Sequence, residues 1–252
     1  MKLDHISHSQ IDMYLGCPRR WYYKYIERKA ERPSGNLIQG SAYHKALEIN
    51  FTQKISTTVD LPLDEVLDVC SDAVDIELIK AKNIDSLWAP EPYLKDSSIG
   101  LTKEYHTRYA PGVLPLEVEK SITTIVHNTK VICRVDLIDE NLVVIEHKTA
   151  ARKYTQEKVD GMIQLSAEAF ALATPIECEV HVALKHKTPS VQKLYTRRTV
   201  DDILWWRELA VNVIRGMENE VYPPNPGTWL CTPEYCGYYD DCKKGTTAYY
   251  TL

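Results

Sequence analysis

The sequence is short of several things, and each shortage excludes a class of protein. No apolar run approaches the roughly 18 residues needed to cross a bilayer, and the amino terminus has no apolar signal-peptide core, so a cytoplasmic protein without a membrane partner is expected. Positive charge is not in excess: 30 Lys and Arg stand against 35 Asp and Glu, a formal net charge of −5. That balance argues against a protein that coats nucleic acid generally. It leaves room for a local basic groove, since a site that binds a divalent cation must itself carry acids. The phosphate-cradling pattern G-x-x-x-x-G-K-[ST] is missing, so the chain is not by itself an ATP-driven motor. Internal repeats and low-complexity segments are missing too. Phenylalanine is nearly so, with 2 Phe against 16 Tyr and 5 Trp; such amphipathic rings suit wet surfaces and base stacking as well as cores. What remains is 252 residues with 44% hydrophobic and 26% charged content, ordinary for a globular chain that buries a full core.

Within that chain, Val131 to Ala150 reads as two strands joined by a polar turn. Val131, Val135 and Leu137 alternate along the first arm, Asp139-Glu140-Asn141 supply the turn, and Leu142 to Ile145 form an apolar run in the second. Two acids interrupt the pattern: Asp136 inside the first strand and Glu146 closing the second, with Lys148 two residues on. Strand alternation puts Glu146 and Lys148 on one face and His147 on the other. Hairpin pairing can bring Asp136 to the same spot. Two carboxylates and one lysine there could bind a divalent cation and stabilise negative charge on a phosphate. The plain alternative is a solvated Glu–Lys pair at a strand end.

Around this hairpin the chain is mostly helical before and mixed after. Ser7-His8-Ser9-Gln10 has the form of a capping box, opening a helix that Pro18 ends just after Cys17. Arg19 to Tyr25 reads as a basic, aromatic turn and Glu31 to Asn36 as a linker. Helices are expected over about Leu37 to Phe51, which carries His44, and over Pro62 to Lys82, with an apolar stripe that includes Val66, Cys70 and Val74. Ser86 to Gly100 reads as loop and Leu101 to Tyr109 as helix. An antiparallel meander begins near Leu116 and turns at His127-Asn128-Thr129. A helix over Gln156 to Ala173, strands near Glu179 to Leu184 and Val191 to Thr196, a last helix from about Thr199 to Asn219, and a coil from Tyr222 onward complete the order. The expected division is a helical region (1–115), a core (116–220) and a Cys-rich tail (221–252), all within one compact α/β unit.

That order, with four motifs, resembles the PD-(D/E)-x-K nuclease superfamily, in particular its RecB-type branch and the CRISPR-associated iron–sulfur exonucleases. Gln39-Gly40-Ser41-Ala42-Tyr43-His44 is similar to the G-x-x-[aromatic/aliphatic]-H helix that supplies a metal-binding histidine. Val135-Asp136-Leu137-Ile138 resembles the acidic motif of the second core strand, and Glu146-His147-Lys148-Thr149 the D/E-x-K-T signature. Gln164-Leu165 resembles the start of the Q-x-x-x-Y helix motif, with Glu168 where the family has Tyr. The resemblance spans about Ser7 to Lys244. It implies a restriction-endonuclease-like α/β core, a central mixed sheet flanked by helices, with an N-terminal helical part and a C-terminal Cys-rich tail. It implies a catalytic set of Asp136, Glu146, Lys148 and Gln164, and Mg²⁺ or Mn²⁺ held by His44, Asp136, Glu146 and the backbone carbonyl of His147. The donor set makes chemical sense, because a hard cation prefers oxygen and one imidazole suits Mn²⁺ better than Mg²⁺. Lys148 would position water or meet developing charge. Glu117 and Glu119 read as an ordinary exposed strand edge.

Of the seven cysteines, Cys70, Cys133 and Cys178 lie in apolar periodic segments and read as core residues. Cys231, Cys236 and Cys242 cluster in the tail, and Cys17 stands far upstream. Three clustered thiols and a remote fourth are what a tetrathiolate metal site needs. The resemblance implies a structural 4Fe-4S cluster held by Cys17, Cys231, Cys236 and Cys242, with Zn²⁺ as the competing metal.

Arg19, Arg20 and Lys24, interleaved with Tyr22 and its aromatic neighbours, combine charges for phosphates with faces for bases, and form the expected DNA-binding run. A solvated face is the plain alternative. The expected function is therefore a metal-dependent DNA nuclease, an exonuclease hydrolysing phosphodiester bonds at single-stranded ends. The rivals are an endonuclease or the nuclease subunit of a recombination or phage DNA-processing complex, and a non-catalytic scaffold that binds DNA ends. The expected partners are DNA and, beyond it, recombination, replication or CRISPR-adaptation proteins.

Overall fold

The computed structural model describes residues 5–31, 34–82 and 91–247. A short strand, β1 (Ile6–Ser7), runs straight into helix α1 (His8–Gly16), whose first turn is capped by the Ser7 hydroxyl accepting from the Gln10 amide at 3.2 Å. Pro18 ends α1 but also starts α2 (Pro18–Tyr25), so the expected basic turn is helical. Proline at the first helical position sacrifices no hydrogen bond, and its fixed φ is already helical. Helices α3 (Gly35–Thr57), α4 (Leu63–Lys82) and α5 (Glu91–Arg108) follow. α5 covers much of what reads from sequence as loop. Two of its hydroxyl residues are satisfied in the core: Ser98 donates to the Leu94 carbonyl at 2.8 Å, and Thr102 to the Cys70 sulfur of α4 at 3.3 Å. Residues 32–33 of the expected linker and 86–90 of the expected loop lie outside the described residues.

Next come β2 (Pro115–Val126), β3 (Thr129–Asp139) and β4 (Val144–Ala150). The β2–β3 turn has positive φ at both His127 (46°) and Asn128 (64°), the two-residue geometry that matches strand twist. The single helix expected over Gln156 to Ala173 is two, α6 (Gln156–Asp160) and α7 (Ile163–Leu172). The buried guanidinium of Arg198 accounts for the break. It donates to the carbonyls of Val159, Asp160 and Met162 at 3.0, 3.0 and 3.1 Å, and to the Ser166 hydroxyl at 3.1 Å. Carbonyls that would continue one helix are turned to the guanidinium instead. Arg198→Met should therefore destabilise the fold by roughly 3 kcal/mol, since buried acceptors lose a charged donor; an unchanged urea midpoint would remove this role. Strands β5 (Ile176–Leu184) and β6 (Ser190–Arg198), helix α8 (Val200–Glu218) and helix α9 (Tyr239–Thr247) complete the order. The expected coil holds from Tyr222 to Tyr238 and gives way to α9, whose first turn carries Asp240 and Asp241, complementing the helix dipole.

The described strands form one six-stranded mixed sheet, in the order β1-β3-β4-β5-β6 with β2 also paired to β3. β4 and β5 are parallel, joined across α6 and α7, while β2–β3, β3–β4 and β5–β6 are antiparallel. Helices cover both faces. One core gathers Ile11, Trp21, Cys133 and Trp206, with α1, α2 and α8 over β3. Another packs Tyr43, Phe51 and Tyr105 of α3 and α5 on Leu137, Ile145 and Ala183. This is the helix-flanked mixed sheet expected from the sequence. One local feature creates the site: β3 and β4 pair at Leu137–Ile145 and Ile138–Val144, whereas β1 pairs with β3 at Val131 and Ile132. Residues 133–136 of β3 lie between these two short ladders, at a fork beside α1.

Candidate active site

Asp136 stands one step beyond the Leu137–Ile145 pair, and so lies opposite Glu146 across the fork. Its Oδ2 accepts the His147 amide at 2.9 Å and lies 3.5 Å from Nδ1 of His44 on α3. A side-chain hydrogen bond joins it to Glu146; burial first, then the Glu146 charge, hold the Asp136 carboxyl well above the usual carboxylate range. Glu146 is 1% exposed, with Oε1 2.5 Å from Lys148 Nζ and Oε2 without a hydrogen-bond partner. Burial pulls the Lys148 ammonium down, but Glu146 and Asp136 outweigh it, and the net shift is upward. Lys148 keeps its charge. Its Nζ also donates to Gln164 Oε1 at 2.7 Å, and Gln164 Nε2 donates to Glu168 Oε1 at 3.0 Å. Glu168 is fully buried, pushed well up by burial and by the Glu146 and Asp136 charges, and its Oε2 has no partner. In the place of the family's tyrosine stands a buried carboxyl that accepts from Gln164 and orients it.

His147 divides its two ends as strand alternation requires. Its ring lies on the far face, 2.9 Å from the Tyr105 hydroxyl, which also meets His181 Nδ1 at 2.7 Å. Burial keeps that ring uncharged. Its main chain faces the fork, giving the amide to Asp136 and a backbone hydrogen bond to His44. Burial also lowers His44, leaving a neutral imidazole able to ligate.

Glu119 is the correction. Read from sequence as an exposed edge, its side chain is 15% exposed, and it joins His44 and Asp136 in a set of ligand atoms all within 4.8 Å of one another. Its backbone is left-handed, with φ 49°. The irregularity shows in the packing: Val135 belongs to the core under α7 and Leu137 to the core under α3, although residues two apart in a regular strand share a face. That break turns Glu119 and Asp136 toward His44. Nothing in the residue pattern announces a positive φ at a glutamate, so only the fold reveals it. His8 and Asp12, one turn apart on α1, were also passed over. Burial lowers His8, whose charge neighbours are Glu146 and Lys148, and its Nδ1 has no partner. Burial pushes Asp12 up to about 6 against the pull of Lys148. Their spacing gains meaning only once α1 is known to sit at the fork.

A family model described as PD-(D/E)XK nuclease superfamily matches residues 5–243. The chain belongs to this superfamily. A solved structure named "Putative exonuclease", from Eubacterium rectale, superposes on it with a TM-score of 0.56 at 10% identity, covering 90% of this chain and 87% of that one. A second, SSO0001, gives a TM-score of 0.47 at 14% identity over 96% of this chain and 87% of that one. No curated protein matches it.

The acids of this PD-(D/E)XK protein should give its stability a particular pH dependence. Burial, and then the Asp136 charge, push Glu119 up to about 7 from an ordinary 4.5. Below 4.5 the folded and unfolded chains both keep the proton. Between 4.5 and 7 the unfolded chain releases it first, so the fold loses stability as pH rises; above 7 the penalty is constant. Melting temperature without divalent cations should fall across that interval in wild type, and fall less in Glu119→Gln. Parallel curves for the two proteins would mean that Glu119 is not buried beside Asp136.

The expected DNA-binding run is placed elsewhere. Arg20 Nε and Nη2 hold Glu31 Oε1 at 2.9 and 2.6 Å, Lys24 reaches Glu31 Oε2 at 3.3 Å, and the Tyr22 ring packs on Tyr222 with centroids 4.8 Å apart. Arg19 and Arg20 line a cavity that also collects Cys17, Cys231, Cys236 and Cys242. The four thiols therefore converge from both ends of the superfamily match. Burial raises Cys236 and Cys242, so these thiols would release protons on taking up a metal. Among the described residues, the set of ligand atoms all within 4.8 Å of one another is His44, Glu119 and Asp136, while the four thiols share the lining of one cavity.

Proposed function

We propose that this chain is a divalent-metal-dependent DNA nuclease, an exonuclease acting on single-stranded ends, with a structural 4Fe-4S cluster. The observation that carries the reading is the convergence of Asp136, Glu146, Lys148 and Gln164 at the fork, with His44 and Glu119 beside them. Mg²⁺ or Mn²⁺ would be held by His44, Asp136 and Glu119, with Glu146 and the His147 carbonyl completing the set, and would polarise a phosphoryl oxygen and lower the pKa of bound water. The chain's own groups do the rest. Positive charge held at the fork would favour the ionised form of Asp136, which burial disfavours. Lys148, clamped between Glu146 and Gln164, presents a fixed ammonium that orients the attacking water or meets charge growing on the phosphate. Glu168 holds Gln164 and so fixes Lys148 at one remove.

The exonuclease assignment rests on the motif resemblance to RecB-type enzymes. The cluster rests on the motif resemblance and on four thiols lining one cavity, with two arginines there to offset its negative charge. Incubating end-labelled single- and double-stranded DNA with Mn²⁺, Mg²⁺ or EDTA tests the activity. Single strands should shorten progressively in metal and stay intact in EDTA. Cuts in a closed circular strand would favour the endonuclease, and binding without cleavage in either metal would leave only a DNA-end scaffold.

A further inference from the structure

A cleft of about 600 Å³ opens onto His44, Glu119 and Asp136 between α3 and α4. It is lined by Leu37 of α3 and by Ala73 and Ile76 of α4, and both Leu37 and Ile76 remain more than half exposed, at 54% and 53%. Large aliphatic side chains left open beside a polar site are surface that a ligand can cover. Three cations line the same cleft, each engaged with an acid. Lys45 lies 3.0 Å from Glu48, Lys80 lies 2.7 Å from Glu77, and Arg134 pairs with Glu119 and, at 3.9 Å, with Glu48. The Lys45 and Lys80 pairs are exposed and contribute little, so these two cations can exchange an acid for a phosphate at small loss, while Arg134 keeps Glu119 and has further N–H donors on its fork to offer a phosphate.

We infer that this cleft is the subsite for one unpaired nucleotide of the DNA strand, with its base on Leu37 and Ile76 and its phosphates among Lys45, Lys80 and Arg134. This deepens the nuclease reading and rests on it. The cleft has room for a nucleotide, and a base can lie on Leu37 and Ile76 only with its face free of stacking neighbours, as in a flipped or frayed nucleotide. Leu37 and Ile76 carry no donor or acceptor, so they hold the base by its face rather than by its edge. Strands must therefore reach the site unpaired.

The test uses a fluorescent single-stranded oligonucleotide, its fully abasic counterpart and a blunt duplex. Binding is followed by anisotropy in EDTA, and cleavage in Mn²⁺. Wild type should bind the intact strand about 5- to 10-fold more tightly than the abasic one, as expected for covering part of two aliphatic side chains. Leu37→Ala/Ile76→Ala, with unchanged circular dichroism, should erase that difference and raise KM with little change in kcat. Equal binding of intact and abasic strands, equal binding of blunt duplex, or a difference that survives in the double variant would each overturn the subsite. Cleavage without base dependence sinks the subsite alone. Base-dependent binding without cleavage in Mn²⁺ or Mg²⁺ sinks the nuclease reading and leaves the subsite standing.

Discussion

Lys148→Ala should lower cleavage by about 10²- to 10⁴-fold while leaving DNA binding nearly unchanged. The lysine touches nothing that would hold the strand in the ground state: its partners are Glu146 at 2.5 Å and Gln164 at 2.7 Å. Its positive charge is secure, because the neighbouring carboxylates outweigh its burial. What disappears with it is a fixed charge aimed at the reacting phosphate or water, a contribution felt in kcat. Removal also leaves Glu146 buried without its cation, so some loss of stability accompanies the loss of rate. Lys148→Arg is the useful companion, since it keeps the charge but changes its position. Asp136→Ala should fail differently, with weaker Mn²⁺ affinity by calorimetry as well as lost turnover. Full activity in both Lys148→Ala and Asp136→Ala would remove the active-site assignment.

Cys17→Ser should abolish iron incorporation and lower the melting temperature, with nuclease activity declining only as the protein unfolds. Anaerobically prepared wild type should be brown, with about four irons per chain. Closing so long a loop restricts the unfolded chain by on the order of 4–5 kcal/mol in the chain-entropy picture, a large share of a domain's stability. The tail has other ties to the amino-terminal helices: Tyr14 donates to the Val221 carbonyl at 2.5 Å, Asn225 to Gly16 at 3.0 Å and Tyr238 to Lys29 at 3.0 Å. Cys17→Ser should accordingly loosen the tail to proteases without releasing it entirely. Cys70→Ser is the control. Cys70 is buried in the core formed by α3 and α4, accepts from Thr102, and should leave the iron content unchanged. Colourless protein with one zinc would make the site a zinc staple; protein with no metal and four reactive thiols would end the idea.

The sheet was legible in the sequence because its central strands announce themselves by apolar alternation and by acids that interrupt it. Glu146 and Lys148 share a face for the simplest of reasons, a period of two, and the same rule sends the His147 ring to Tyr105. The helices were less legible where a residue plays an uncommon part. Pro18 starts a helix where it reads as a stop. Ser98 and Thr102 look like loop residues until their hydroxyls find partners inside. Arg198 divides α6 from α7 across more than 30 positions, beyond the reach of any local pattern. Glu119 was hidden for a geometric reason, since an acid two residues from another acid on a strand suggests a solvated edge. The left-handed turn that brings it inward belongs to the paired strands rather than to the residue.

The ties between the tail and the amino-terminal helices bear on the order in which the chain is made. Tyr14 and Val221 are 207 positions apart, and Gly16 and Asn225 are 209 apart. At about 5–20 residues per second, α1 waits roughly 10–40 s on the ribosome before its anchors exist. Before that wait ends, Asp136, Glu146 and Lys148 are already synthesised, and the helix bearing His8 and Asp12 can pack on β3 while its ties to the tail are still missing. Trp21 and Tyr22 likewise await Tyr222, on which both rings pack. An unfinished chain thus carries the acids of the fork with α1 held by the sheet and its neighbouring helices alone, and gains these further ties as translation passes Val221 and Asn225.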